Sequence, residues 1–148
     1  AKEADDMDQN AALLNDLYQS ALMGVSSIEQ VQKATTDAPF QTHLSRQMQG
    51  YQDLVEKARS RMEQTGVSKK EPNPMTKMTA NVMVNLKALK DHSTPNLAEM
   101  MITGSTMGFI SAIRGQKANA GAQQESLSLM REMQTMEERN VQELKRFL

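Results

Sequence analysis

Gly66-Val67-Ser68-Lys69-Lys70-Glu71-Pro72-Asn73-Pro74 breaks an otherwise helix-rich pattern, and the rest of the chain is read outward from it. A stopping glycine followed by lysines and two prolines belongs to a loop, not to a helix or strand interior. Asn73-Pro74 then supplies an N-cap and a proline at the first helical position, so a short helix is expected over 74–90. Upstream, Asp37 and Pro39 start a helix over 37–65, behind a first helix over 10–34. Downstream, Ser93-Thr94-Pro95 starts a helix over 95–117. Asn119-Ala120-Gly121 separates it from a last helix over 122–148. No segment alternates as a strand does. The expectation is an all-α single domain over 1–148, with 1–9 as a flexible N-terminal tail.

A helix turns by about 100° per residue, which sorts each pattern into faces. Leu14, Leu17, Ala21, Gly24, Ile28 and Val31 share one face of the first helix. Phe40, Leu44, Met48, Tyr51, Leu54, Val55, Ala58 and Met62 share one in the second. The short helix presents Met75, Met78, Val82, Leu86 and Leu89, and the last presents Leu127, Met130, Val141, Leu144 and Leu148. The helix over 95–117 is apolar on two sides. Leu97, Met101, Gly104, Met107 and Gly108 form one side, read as facing the core. Ile102, Phe109, Ile110 and Ile113 form the other, to be covered by the short helix or by a second subunit. A homodimer through these four residues is therefore expected.

Composition removes whole classes of chemistry. There is no Cys, hence no disulfide, thiolate metal site, iron–sulfur cluster or cysteine nucleophile. That fits a cytoplasmic setting, and the acidic start Ala1–Asp8 lacks the pattern of a signal peptide. A net charge of −1 with interspersed signs, two Tyr, three Phe and no Trp gives neither counterion release nor a stacking platform, so no nucleic acid is expected. No apolar run is long enough to span a bilayer, so no membrane insertion is expected. The 13 methionines are read as core filling. Met75-x-x-Met78 and Met130-x-x-Met133-x-x-Met136 also offer thioethers to copper(I). Walker loops, nucleophile elbows and His-Glu-x-x-His are absent, so nothing points to an enzyme.

Two long helices, a long crossing segment and two more long helices is the layout of the ferritin-like bundle. The stretch Met136-Glu137-Glu138-Arg139-Asn140-Val141-Gln142-Glu143-Leu144-Lys145-Arg146-Phe147-Leu148 resembles the last helix of small bacterial members. Leu13-Leu14-Asn15-Asp16-Leu17, paired with Ala98-Glu99-Met100-Met101-Ile102-Thr103-Gly104-Ser105-Thr106-Met107-Gly108, adds to the likeness. Together these resemble ferritin-like proteins of Gram-positive anaerobes and spore-formers. The resemblance implies a left-handed four-helix bundle with the short helix in its crossover. It also implies a di-metal site, built from a Glu on each of two helices and Glu-x-x-His on each of the others. This sequence departs from that set. Glu29 lies at the margin of its face, and Glu99 lies off the glycine-lined side. Gln47 and Gly50 stand at the spacing of one pair, and Glu137 is followed by Asn140 instead of His.

Glu137 is the remnant that matters, centred in an apolar arc where a lone carboxylate costs several kcal/mol and tends to protonate. Its expected partner is Gln47, Tyr51, Arg114, a water or a metal. His43 is read as an exposed or edge residue, and His92 as capping the end of the short helix. Three functions stay open. The leading one is a non-catalytic structural or interaction scaffold with no cofactor. The second is a metal-binding or redox protein with iron or manganese at a reduced site around Glu137. The third is a module for an apolar ligand or a partner helix.

Overall fold

A computed structural model describes residues 2–69 and 86–148. The described chain is all-α, with helices α1 (Lys2–Ala34), α2 (Ala38–Thr65), α3 (Thr94–Ala118) and α4 (Gln124–Leu144). A 3-10 turn, Lys145–Phe147, follows α4. Residues 86–88 are helical; most of the short helix expected over 74–90 lies outside the described residues. Among the described residues no helix is long and apolar enough to cross a membrane.

Within the stretch expected as a tail, α1 is already helical from Lys2. No Gly or Pro interrupts its first turns, and Glu3 and Asp5 complement the positive end of the helix dipole. Gln9 Oε1 accepts the Gly121 N–H at 2.7 Å, and Asn10 Oδ1 accepts the Gln123 N–H at 3.1 Å. The polar start is thus fastened to the turn between α3 and α4. A Cβ on Gly121 would lie 2.9 Å from Gln9 Oε1, so the end of that side chain would have to shift to admit one.

The ends of α2 follow its sequence signals. Asp37 Oδ1 accepts the Phe40 N–H at 3.2 Å, and Gly66 ends the helix in the left-handed region at φ 69°. The Gly66 N–H reaches Glu63 O, and the Val67 N–H reaches Met62 O at 2.9 Å. This pair of bonds satisfies the last carbonyls. Asp37 Oδ2 also accepts from Thr94 Oγ1 at 2.6 Å, so one carboxylate serves the first turns of α2 and α3. The Thr94 hydroxyl, then the Phe40 amide, hold its carboxyl below the ordinary range. Asp37→Ala is expected to lower the urea midpoint, with Asp37→Asn recovering part of it. Equal midpoints for all three chains would show that neither helix start depends on this side chain.

These contacts set the direction of each helix. The starts of α2 and α3 meet at Asp37, and Phe147 packs on Phe40 at the same end, ring centroids 5.1 Å apart. At the other end Asn10 meets Gln123, and Arg61 reaches Gln123 and Glu125. So α1/α2 and α3/α4 are antiparallel hairpins, while α2 and α3 run the same way. Thr65 and Thr94 therefore lie at opposite ends of α2, which spans 28 residues or about 42 Å.

One contiguous core joins all four helices, from Leu13, Leu17 and Ile28 through Phe40, Leu44 and Leu54 to Leu97, Met130 and Leu144. The phase of α3 differs from the expected one. Leu97, Ala98, Met101, Ser105 and Ala112 are its buried positions. Gly104 and Met107, expected inside, are exposed; Met107 is 61% exposed. The helix is turned by roughly 60° from the expected orientation. That brings the small side chains of Ala98, Ser105 and Ala112 inward, where they permit close packing and Ser105 finds an acceptor. Ile102, Phe109 and Ile113 are half-buried, and Ile110 is 39% exposed.

Candidate functional site: a carboxyl cluster in the core

Glu137 projects from α4 into the core and is 4% exposed. Met133 one turn before it and Asn140 one turn after it are buried on the same face. Three donors converge on Glu137 Oε1: the Tyr51 hydroxyl from α2, Ser105 Oγ from α3 at 3.1 Å, and Asn140 Nδ2 at 3.2 Å. Asn140 Nδ2 also lies 3.4 Å from the Tyr51 oxygen. Two glycines make room. A Cβ on Gly24 of α1 would lie 2.6 Å from Tyr51 Cγ and nearer still to the ring edge. A Cβ on Gly108 of α3 would lie 3.0 Å from Glu137 Cδ and would overlap Oε2. All four helices thus contribute to one small polar centre.

Burial and hydrogen bonding oppose each other at Glu137. Burial disfavours the anion and raises the carboxyl's pKa to about 7, against the pull of Tyr51, Asn140 and Ser105, whose donated bonds favour the anion. The Tyr51 phenol is pushed well above its ordinary range by burial and by the neighbouring carboxylate, so it stays protonated and donates. With three donors on Oε1 and no hydrogen bond reaching Oε2 among the described residues, the proton of the neutral acid belongs on Oε2, beside Gly108.

The other expected residues fall elsewhere. Gln47, one turn before Tyr51, turns to His43 with 2.8 Å between its Nε2 and His43 Nε2, and its Oε1 is buried without a hydrogen-bond partner. Arg114 is exposed on the outer side of α3. Glu29 and Glu99 are also exposed. His43 corrects its reading as an edge residue: it is 1% exposed because Phe147 of the 3-10 turn folds over it, ring centroids 5.1 Å apart. Burial, the largest influence, lowers the pKa of His43. His92 Nε2 lies 2.7 Å from the Leu86 carbonyl oxygen. Met130 and Met133 are core residues and Met136 packs at its edge; Met75 and Met78 lie outside the described residues. Ser105, Gly24 and Gly108 complete the cluster without having been singled out for it. Ser105 shares the i, i+4 row of Leu97 and Met101, and that row is the signal that finds it.

The donor set around Glu137 does not fit the di-metal centre that a ferritin-like resemblance implies. It is one carboxylate among a phenol, a hydroxyl and an amide. Among the described residues, no three His, Cys, Asp or Glu side chains lie close enough to hold a metal ion. His43 stands two turns of α2 from Tyr51, about 12 Å along the axis. Two surface grooves between α2 and α4, one floored by Lys57, Arg61 and Glu125 and the other by Gly50, Leu54 and Met136, are lined by none of the cluster residues. No protein-family model matches the chain, and neither a curated protein nor a solved structure matches it.

Proposed function

We propose that the protein is a non-catalytic helical scaffold on the plan of a left-handed, ferritin-like four-helix bundle, in which a polar cluster stands where relatives of that plan carry two metals. The directions of the four helices and the single long crossing between α2 and α3 support the plan. The observation that carries the scaffold reading is the closure of Gly24 on Tyr51 and of Gly108 on Glu137, which leaves the centre filled by protein. A hydrogen-bonded polar centre of this kind fixes helix register, because sliding α2, α3 or α4 by a turn strands a buried donor or the carboxyl.

Elemental analysis tests this reading on protein purified without chelator and again after exposure to iron(II), manganese(II) or copper(I). The expected result is metal well below one equivalent in every case, and identical for Glu137→Gln. Stoichiometric metal in the native chain that disappears in Glu137→Gln without loss of helicity would replace the scaffold by a metal-binding protein. An apolar molecule retained at one per chain in native mass spectrometry would replace it by a ligand-binding module.

A further inference from the structure

We propose that the outer face of α3 is the docking surface for a second copy of this chain, paired antiparallel about a two-fold axis near Met107. This deepens the scaffold reading and rests on it. Thr103, Gly104, Met107, Ile110 and Ser111 are exposed along one side of α3, opposite the buried row through Ser105. No charged residue occurs from Met100 to Ile113, an interruption bounded by Glu99 and Arg114. Met107 and Ile110 are the large apolar side chains exposed at its centre, 61% and 39%. Gly104 has nothing within 4 Å of its would-be Cβ, so the stripe is low enough there for a facing Met107 to lie across it.

The two charges choose the occupant. Glu99 and Arg114 are both exposed, and among the described residues neither has an ion pair or side-chain hydrogen bond within its own chain. They sit at opposite ends of the stripe, about 22 Å apart along the axis, and only roughly 60° apart around it, on the flank of Ile110. Their midpoint falls between Thr106 and Met107. A two-fold axis there sets Glu99 of one copy opposite Arg114 of the other, twice per dimer, and places Ile110 over Thr103. A parallel pair would instead set like charges together. The stripe is self-complementary in the antiparallel sense, which is what an isologous interface requires. One helix from each side buries less area than a permanent dimer does, so association belongs to the weak, concentration-dependent class.

Sedimentation velocity on the full chain, from micromolar to millimolar concentration, is the test. The native protein is expected to pass from monomer to dimer, and Met107→Glu to remain monomeric with unchanged helicity. Glu99→Arg and Arg114→Glu are each expected to weaken dimerisation by about tenfold or more. An equimolar mixture of these two variants is expected to form a heterodimer of native affinity, as is the homodimer of the double variant. A native chain that is monomeric throughout overturns the proposal. A dimer indifferent to Met107→Glu overturns the surface, and single charge variants that bind like the native chain overturn the antiparallel register. The metal analysis reads out separately. Loss of the dimer with no metal bound leaves the scaffold standing, whereas metal bound by a dimer refutes the scaffold alone.

Discussion

The stability advantage of Glu137→Gln over the native chain is expected to grow by about 2–3 kcal/mol between about pH 5 and about pH 8. The cause is the proton on Oε2. In the folded chain the Glu137 carboxyl titrates at about 7, against 4.5 for the ordinary group. Its folded pKa is raised, so the native state holds the proton more tightly than the unfolded chain does. Well below 4.5 both states are protonated and the titration takes nothing from stability. As pH rises through the window up to about 7, the unfolded chain ionises freely while the folded chain must either keep its proton or bury a charge. Stability falls accordingly, then levels off. Glutamine has no such titration, and its carbonyl oxygen can accept the same three donors. His43 acts with the opposite sign. Its pKa is lowered in the fold, so the stability present above 6.5 is lost as pH falls through its folded value. Taking the difference between the two proteins cancels His43, which is common to both. Urea unfolding followed by circular dichroism at several pH values measures the gap. A gap independent of pH would mean that the carboxylate is ionised and hydrated in the native state, and the cluster as described would be wrong.

Gly24→Ala is expected to destabilise the fold by about 1–3 kcal/mol, although alanine is the better helix former by about 1 kcal/mol. The new methyl would enter the face of the Tyr51 ring, 2.6 Å from Cγ. The ring has no easy retreat, since its hydroxyl is held by Glu137 and Asn140 and its own residue is buried in the core. Either α1 moves away from α2 or the phenol leaves the carboxyl, and both cost. The same substitution in a Tyr51→Leu background should be far less harmful, because the two sites share one volume and so do not add. Thermal unfolding of the four chains gives the coupling. Additive effects would show that the glycine is there for some reason other than the ring.

What could be read from the sequence is what local chemistry writes. Asp37 with Pro39, Gly66, and Ser93 with Pro95 mark helix ends through side-chain or backbone preferences that act within a turn, and the helix ends fall beside them. Glu137 and Tyr51 stood out by helical phase, because the apolar residues around them occupy one unambiguous face. The phase of α3 was ambiguous for a physical reason: it carries apolar residues nearly all round, so hydrophobicity cannot choose between Gly104 and Ser105. The choice is made by the acceptor on α4. The start of α1 was hidden because its anchors, Gly121 and Gln123, lie at the far end of the sequence. His43 was hidden for the same reason, since Phe147 covers it. Gln47 and Tyr51 share a face of α2, and only the axial level of Glu137, set by how the hairpins dock, distinguishes them.

The long crossing has a consequence for how the molecule is held together. Each hairpin closes locally, while the two meet through side chains along their length and through Asp37 at one end. Leu86 of the connection between them joins the core, and the connection keeps the two hairpins near each other. Cutting the backbone there would turn an intramolecular encounter into a bimolecular one, and the halves would reunite once their concentrations approached the effective molarity the tether had provided. The chain is thus suited to complementation: two fragments, each with half of the Tyr51–Glu137 centre, that regain a buried carboxyl only when they find each other.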